Sequence, residues 1–375
     1  MLLLRGLGHR SPTASGILLV LVALFCCWAV DASFFLGDLG ALSSVVALGA
    51  NLICNKVPGL TPRQRTICRS RPDAIAAVGQ GASLASSECL FQFRKHRWNC
   101  SFPPGTDPIF GPVQLAGKDN GTKEAAFMYA IRAAGVAFAI TQSCSSGNLT
   151  SCGCDKLRHQ AGGGRRPSQQ DFNWGGCSVD VRYGLKFSRV FIDAREVDED
   201  SRSLMNLHNN RAGRKALKDL MARDCKCHGV SGSCTLRTCW RTLPSFRSIG
   251  ASLMRRYNRA RQVMPIKGRR ARTPIFLKLK KARRPNKKPR RADLVYLRHS
   301  PNYCENDPLT GSLGTRGRQC NRTSTGTDGC GMLCCGRGYN THQFMRTWKC
   351  NCKFHWCCKV TCQNCSERSQ IFTCK

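Results

Sequence analysis

The chain has 375 residues, 26 cysteines and a formal net charge of +37. Cytosolic thiols are kept reduced, so this dense, even cysteine set excludes an ordinary cytosolic protein and points to an oxidising compartment. The charge calls for a polyanionic partner, which for a secreted chain is sulfated glycosaminoglycan rather than nucleic acid.

In chain order, Arg5, His9 and Arg10 form a basic leader before Ile17–Val30, an apolar run too short to span a bilayer comfortably. Val30-Asp31-Ala32 offers a small-residue cleavage context, so residues 1–32 read as a removable signal peptide. A signal anchor is the alternative, and the abrupt end of the run at Asp31 speaks against it. Removal takes Cys26 and Cys27, leaves 24 cysteines for twelve bridges, and lowers the net charge by one.

Residues 33–240 read as a helical N-terminal domain. Helices are expected over Pro62–Val78, Lys123–Gln142 and Ser203–Arg223. The second is apolar nearly all round, and Arg132 in its middle argues for a buried core helix over a membrane span. The third is amphipathic with a basic outer face, and residues 162–167 (GGGRRP) read as a flexible loop. Residues 241–303 lack cysteine. Between Lys267 and Arg291 stand thirteen cations and no acid: Lys267, Arg269, Arg270, Arg272, Lys278, Lys280, Lys281, Arg283, Arg284, Lys287, Lys288, Arg290 and Arg291. Like charges and three prolines make this stretch an exposed, extended linker and the candidate polyanion site. Residues 304–375 carry twelve cysteines, a density at which bridges replace a hydrophobic core and staple β-hairpins. The fold class is therefore α+β and disulfide-rich.

Five N-x-S/T sequons occur, at Asn99, Asn120, Asn148, Asn321 and Asn364. Cysteine is the middle residue at Asn99 and Asn364, so bridge formation competes with glycosylation there.

Cys225-Lys226-Cys227-His228-Gly229-Val230-Ser231-Gly232-Ser233-Cys234 through Cys239-Trp240 is the most informative stretch. Nested pairing, Cys225 with Cys239 and Cys227 with Cys234, closes a narrow hairpin with Ser231 at its tip. Ser231 then has three readings: a turn serine, a nucleophile with His228 as base, or an acceptor modified by another enzyme. The nucleophile-elbow pattern is incomplete and lies between cysteines, which disfavours an enzyme. Near the C-terminus, Cys350, Cys352, His355, Cys362 and Cys365 have zinc-ligand spacing, but behind a signal peptide bridges are favoured. Cys334/Cys335 and Cys357/Cys358 are adjacent pairs, and neighbours ordinarily bond elsewhere because a ring between them is strained. Phe354, His355, Trp356 and Val360 around Cys357 and Cys358 make an apolar tip, either a docking site or packed on its own domain.

These residues carry a family resemblance. The hairpin CKCHGVSGSCTLRTCW resembles the signature of the Wnt family of secreted lipid-modified ligands. So do Glu88-Cys89, Gln92-Phe93-Arg94, residues 97–100 (RWNC), 174–178 (WGGCS), 204–214 (LMNLHNNRAGR), 334–339 (CCGRGY) and 350–358 (CNCKFHWCC). Residues 43–75 and the run RGYNTHQ look most like the seventh Wnt subclass.

The resemblance implies a helical N-terminal domain bearing a lipidated β-hairpin thumb, and a small cysteine-knotted β-hairpin domain. It implies that the acyltransferase Porcupine places a palmitoleoyl group on Ser231 in the endoplasmic reticulum, with no other cofactor, and that the carrier Wntless escorts the product to the extracellular space and matrix. Frizzled receptors would be gripped by Val230, Ser231 and Gly232, and on the opposite side by Phe354, Trp356, Cys357, Cys358 and Val360. A low-density-lipoprotein-receptor-related co-receptor and heparan sulfate proteoglycans complete the partners; the chain is a signal for β-catenin-dependent or related pathways in development, not an enzyme. The resemblance also implies a vicinal Cys357–Cys358 bond and the pairs Cys89–Cys100, Cys144–Cys152, Cys154–Cys177, Cys304–Cys335, Cys320–Cys330, Cys334–Cys374, Cys350–Cys365 and Cys352–Cys362. Cys54 with Cys68 follows by elimination.

Overall fold

The computed structural model describes residues 49, 52–100, 121–155, 172–174 (backbone), 177–197, 200–235, 237–268, 273–307 and 312–375. The expected signal peptide, the 162–167 loop, Asn120, Arg269, Arg270 and Arg272 lie outside them. The chain divides into residues 1–56, of which 52–56 are helical, and residues 57–375.

Within the second unit, α1 (Pro62–Ser70) opens on a capping box. Thr61 Oγ1 accepts from the Gln64 N–H at 3.3 Å, and Gln64 Oε1 accepts from the Thr61 N–H at 3.1 Å. The single helix expected over Pro62–Val78 is two, since α2 (Asp73–Phe93) begins only after a break at Arg71, φ −148° and ψ 69°. Pro72 explains the break: it has no N–H to donate, and its ring disfavours helical backbone at the residue before it.

α3 (Lys123–Ser145) runs three residues past its expected end. It is long and apolar enough to cross a bilayer, but nearly all of it is enclosed by protein. Its all-round apolar surface meets helices on several sides. Against α2 the approach is backbone to backbone: a Cβ on Gly81 would lie 2.5 Å from the Gly135 carbonyl oxygen, so only glycine permits it. A short strand, β1 (Phe172–Trp174), precedes α4 (Val181–Asp193) and α5 (Ser201–Asp219). The last two are capped by Asp180 and Asp200 and joined by Arg214, whose guanidinium donates to both Asp193 oxygens at 3.0 and 2.8 Å. α5 was expected to reach Arg223. It ends at Asp219, because Ala222 and Arg223 already pair across a ladder with Thr242 and Arg241.

β2 (Ala222–Cys227) and β3 (Arg237–Thr242) form an antiparallel hairpin, with β1 parallel to β3. α6 (Phe246–Asn258) returns to the helical body, where Phe93 sits edge-on to Trp98, Phe127 and Tyr257 at centroid distances of 4.7, 4.9 and 5.0 Å.

The expected extended linker is folded. β4 (Arg261–Lys267), β5 (Pro274–Leu279) and β6 (Val295–Tyr296) form a three-stranded sheet ordered β5-β4-β6. Val263, Leu277 and Val295 pack on Met205 of α5. The total charge hid a period-two pattern: apolar residues on one face of this ribbon find a partner, and the cations remain on loops and edges.

The C-terminal module contains β7 (Asn306–Asp307), β8 (Ser312–Leu313), β9 (Gln319–Cys320), the helical turn α7 (Cys330–Leu333), and the long antiparallel strands β10 (Tyr339–His355) and β11 (Lys359–Cys374). Its interior is Cys330, Leu333, Cys334 and Cys374 with Tyr339 and Phe372 beside them. The fold is thus α+β and disulfide-rich. Arg318 ties the module to the body, donating to the carbonyls of Arg97 at 2.6 Å, His96 at 2.7 Å and Arg94 at 3.3 Å. Lys95 meets Asp328 at 2.9 Å beside it.

Glu124, buried at the start of α3, accepts from the Tyr257 hydroxyl at 2.7 Å, Ser300 at 2.6 Å and Tyr303 at 3.1 Å. Burial, and then the Glu124 carboxylate itself, push both phenols well above the ordinary range. Removing the acceptor strands buried donors, so Glu124→Ala should destabilise the protein by about 3 kcal/mol in chemical denaturation. An unchanged midpoint would remove this carboxylate from the structural core.

Burial raises the Glu196 carboxyl to about 7, with the Asn206 amide at 2.9 Å and Arg195 opposing it. A raised pKa means the folded state holds its proton more tightly. The associated stability is fully present below about pH 4.5 and is lost as pH rises through 7, amounting to at most about 3 kcal/mol. Unfolding curves at pH 5 and 7.5 should show a smaller loss for Glu196→Gln than for the parent chain.

Candidate functional site

Two stapled hairpins stand away from the helical body. In the first, Cys225 and Cys239 are direct cross-strand partners, bridged with their Cα atoms 4.1 Å apart. Cys227–Cys234 closes the loop beyond the last ladder pair. The six residues between them fold into a tight turn. The Gly229 N–H donates to the Ser233 carbonyl at 2.8 Å, Gly232 N–H to Gly229 at 3.0 Å, and Ser233 N–H to Val230 at 3.1 Å. Ser231 is left-handed, φ 57° and ψ 27°, as is Gly232 at φ 78°. A serine in that region is uncommon and marks a position the surroundings over-determine. Val230 is 90% exposed beside it. The candidate base His228 places Nε2 3.1 Å from Thr238 Oγ1 on the opposite strand. Ser233 Oγ lies 3.3 Å from Thr235 Oγ1.

The second hairpin is the β10–β11 ribbon. Cys350–Cys365 and Cys352–Cys362 staple it near the tip, on either side of a register shift between Cys350 and Lys353. Cys334–Cys374 fixes its base. The four cysteines of the zinc reading are therefore consumed in bridges. Cys320, Cys330 and Cys334 cluster by sulfur position as well, but belong to the Cys320–Cys330 and Cys334–Cys374 bridges. At the tip, Phe354 is 65%, Trp356 91% and Val360 59% exposed, so this apolar group does not pack back on its own module.

Cys89–Cys100, Cys144–Cys152, Cys154–Cys177 and Cys304–Cys335 are also bridged, and Cys54 and Cys68 are disulfide-bonded. One expectation is corrected: Cys357 and Cys358 are free, exposed thiols, not a vicinal disulfide. Both occupy left-handed backbone in the reversal, at φ 74° and 69°. Adjacent Cα atoms lie about 3.8 Å apart across a trans peptide, shorter than the span of about 4.4 Å or more that ordinary disulfides use.

Among the sequons, Asn148, Asn321 and Asn364 are exposed and Asn99 is half-buried next to bridged Cys100. Of the expected polyanion residues, Lys280, Lys281, Arg283, Arg284, Lys287, Lys288, Arg290 and Arg291 are exposed, Lys278 is half-buried, and Lys267 ends β4. The structure adds residues that sequence reasoning passed over: Phe344, Met345 and Trp348 on β10 are 41%, 55% and 40% exposed. Their signal is three large apolar side chains within the five residues 344–348 (FMRTW), masked in the sequence by the dense cysteines that follow.

The wnt family model matches residues 56–375, a stretch that includes both hairpins. The chain belongs to the Wnt family. It is 48% identical to Protein Wnt-2 of Drosophila melanogaster over 332 residues, covering 86% of this chain and 92% of that relative. It is also similar to a solved structure of human WLS in complex with WNT8A, with a TM-score of 0.57 and 36% identity over 80% of this chain and 93% of that one. Wnt proteins are secreted signalling ligands in development and not enzymes.

Among the described residues, native-state alkylation with iodoacetamide should add two groups, both on the peptide holding Cys357 and Cys358. No labelling before reduction would show that pair closed.

Proposed function

We propose that this chain is a secreted, acylated Wnt signal that bridges Frizzled cysteine-rich domains and a low-density-lipoprotein-receptor-related co-receptor. The observation that carries the reading is the Ser231 turn. A serine in left-handed backbone, next to a 90% exposed valine and enclosed by two bridges, is presented outward with no core of its own to occupy. That geometry suits an acceptor hydroxyl for Porcupine. The similarity to WNT8A solved with WLS supports carriage by Wntless. Export to the extracellular space and matrix follows from that route.

Burying the hydrocarbon of a sixteen-carbon acyl chain is worth on the order of 10 kcal/mol at about 0.8 kcal/mol per CH₂. The acyl chain therefore supplies most of the affinity. It discriminates poorly among apolar grooves, and the second tip supplies protein contacts for selection. Trp356 is suited to this, as exposed aromatics are typical binding anchors.

Ser231→Ala should abolish acylation, secretion and Frizzled binding. Intact-mass analysis of purified, active ligand with no acyl group on Ser231 would overturn the reading. Trp356→Ala should retain acylation and fold while weakening binding to a Frizzled cysteine-rich domain by about tenfold or more. Binding equal to the parent chain would leave the second tip without a role in the contact.

A further inference from the structure

We propose that the trough between α1 and α4 binds a free long-chain fatty acid, with the chain against Ile67, Phe187 and Val190 and the carboxylate at Arg71 and Lys186. These elements are separate from the Ser231 hairpin and from any acyl group attached there.

Two clamps fix α1 against α4. At one end the Gln64 amide donates to the Phe191 carbonyl at 3.0 Å, and Arg195 donates to the Gly59 carbonyl at 2.6 Å and to Gln64 Oε1 at 3.1 Å. At the other end the Arg71 guanidinium donates to the Tyr183 hydroxyl and, at 3.1 Å, to Ser151 Oγ, and those two hydroxyls lie 2.6 Å apart. From Gln64 to Arg71 is about 10 Å of chain at 1.5 Å per helical residue. The trough near the second clamp encloses about 220 Å³, and its lining is mostly apolar. Apolar cavities of about 150 Å³ already admit benzene, so there is room for a hydrocarbon ligand. Phe187 is buried, Ile67 is half-buried, and Val190 is 51% exposed at the open side. Filled with water, such a trough keeps apolar surface wet, and a hydrocarbon chain removes that cost.

The rim selects the head of the ligand. Arg71 and Lys186 both line the trough, and no carboxylate does. Among the described residues neither cation is held in an ion pair, and Arg71 meets only the two neutral hydroxyls and the Tyr183 ring. Asp73 and Asp180, the acids beside Arg71 and Tyr183 in the chain, accept from Thr150 and from the first N–H groups of α4. Exposed Arg63, Arg182 and Arg189 on the same two helices add to the positive field. A hydrocarbon chain with a carboxylate head, ionised at neutral pH, matches the apolar walls and the cationic end at once. A neutral amphiphile matches only the walls.

The test uses the full acylated chain and cis-parinaric acid, a fluorescent long-chain fatty acid, with its methyl ester as the neutral control. The parent should bind one equivalent of the acid saturably, and the ester more weakly. Val190→Glu places a carboxylate in the apolar wall and should lower affinity for both probes about tenfold or more. Lys186→Gln should lower affinity for the acid about threefold or more and leave that for the ester unchanged. Both residues are exposed, so the unfolding midpoints of the variants should match the parent. Failure of the parent to bind the acid, or equal binding by Val190→Glu, would overturn the site. Equal affinity for acid and ester, undiminished in Lys186→Gln, would overturn recognition of the carboxylate. Capture by phosphatidylserine vesicles through these same residues, without binding of the monomeric acid, would make the trough a membrane contact and overturn the fatty-acid assignment.

Discussion

A two-stranded ribbon has no interior. β10 and β11 run for 17 and 16 residues, and most side chains along them face solvent. Packing on Cys330 and Leu333 reaches only its base, and an isolated hairpin is marginal in water, so packing cannot hold the outer length in register. Covalent staples do it: Cys334–Cys374 at the base, with Cys350–Cys365 and Cys352–Cys362 towards the tip. The β2–β3 hairpin obeys the same constraint with Cys225–Cys239 and Cys227–Cys234. Once bridges carry the stability, the tips are released from it. Val230 and Trp356 can then be large, apolar and more than nine-tenths or about nine-tenths exposed, which a packed hairpin would not tolerate.

The helical body answers a different requirement, that of a rigid mount. α3 is enclosed by its neighbours, and Glu124 gathers hydroxyls from α6 and from Ser300 and Tyr303 into one buried network. Arg318 then caps three carbonyls at the end of α2. Together these contacts connect the module bearing one tip to the body bearing the other, so the spacing of the tips is a property of packed side chains and not of a tether.

Much of this was legible in the sequence. The α3 apolar pattern, the nested cysteines around Ser231 and the dense C-terminal cysteines each have a local signature. Three features were not. Pro72 splits a helix whose apolar period runs straight through it. Charge dominates the 241–303 stretch, and charge says nothing about whether Val263 and Leu277 find Met205 across the fold. The state of Cys357 and Cys358 depends on the backbone at the reversal, which a motif alone does not specify. Glu124 and Arg318 were also invisible, because a buried carboxylate or guanidinium has no sequence signature apart from its distant partners.

The register of the C-terminal ribbon gives its two faces different fates. Asn364 pairs directly with Lys349, and strand alternation puts both on the side that carries Met345 and Thr347. Phe344, Arg346 and Trp348 point the other way, opposite Ser369, Glu367 and Cys365. A sugar on Asn364 would sheathe the first side in a hydrated brush and leave the aromatic side bare. One carbohydrate attachment would thus turn a symmetrical, two-sided blade into a one-sided one, shielding it from stacking on its own kind while keeping one edge for contact.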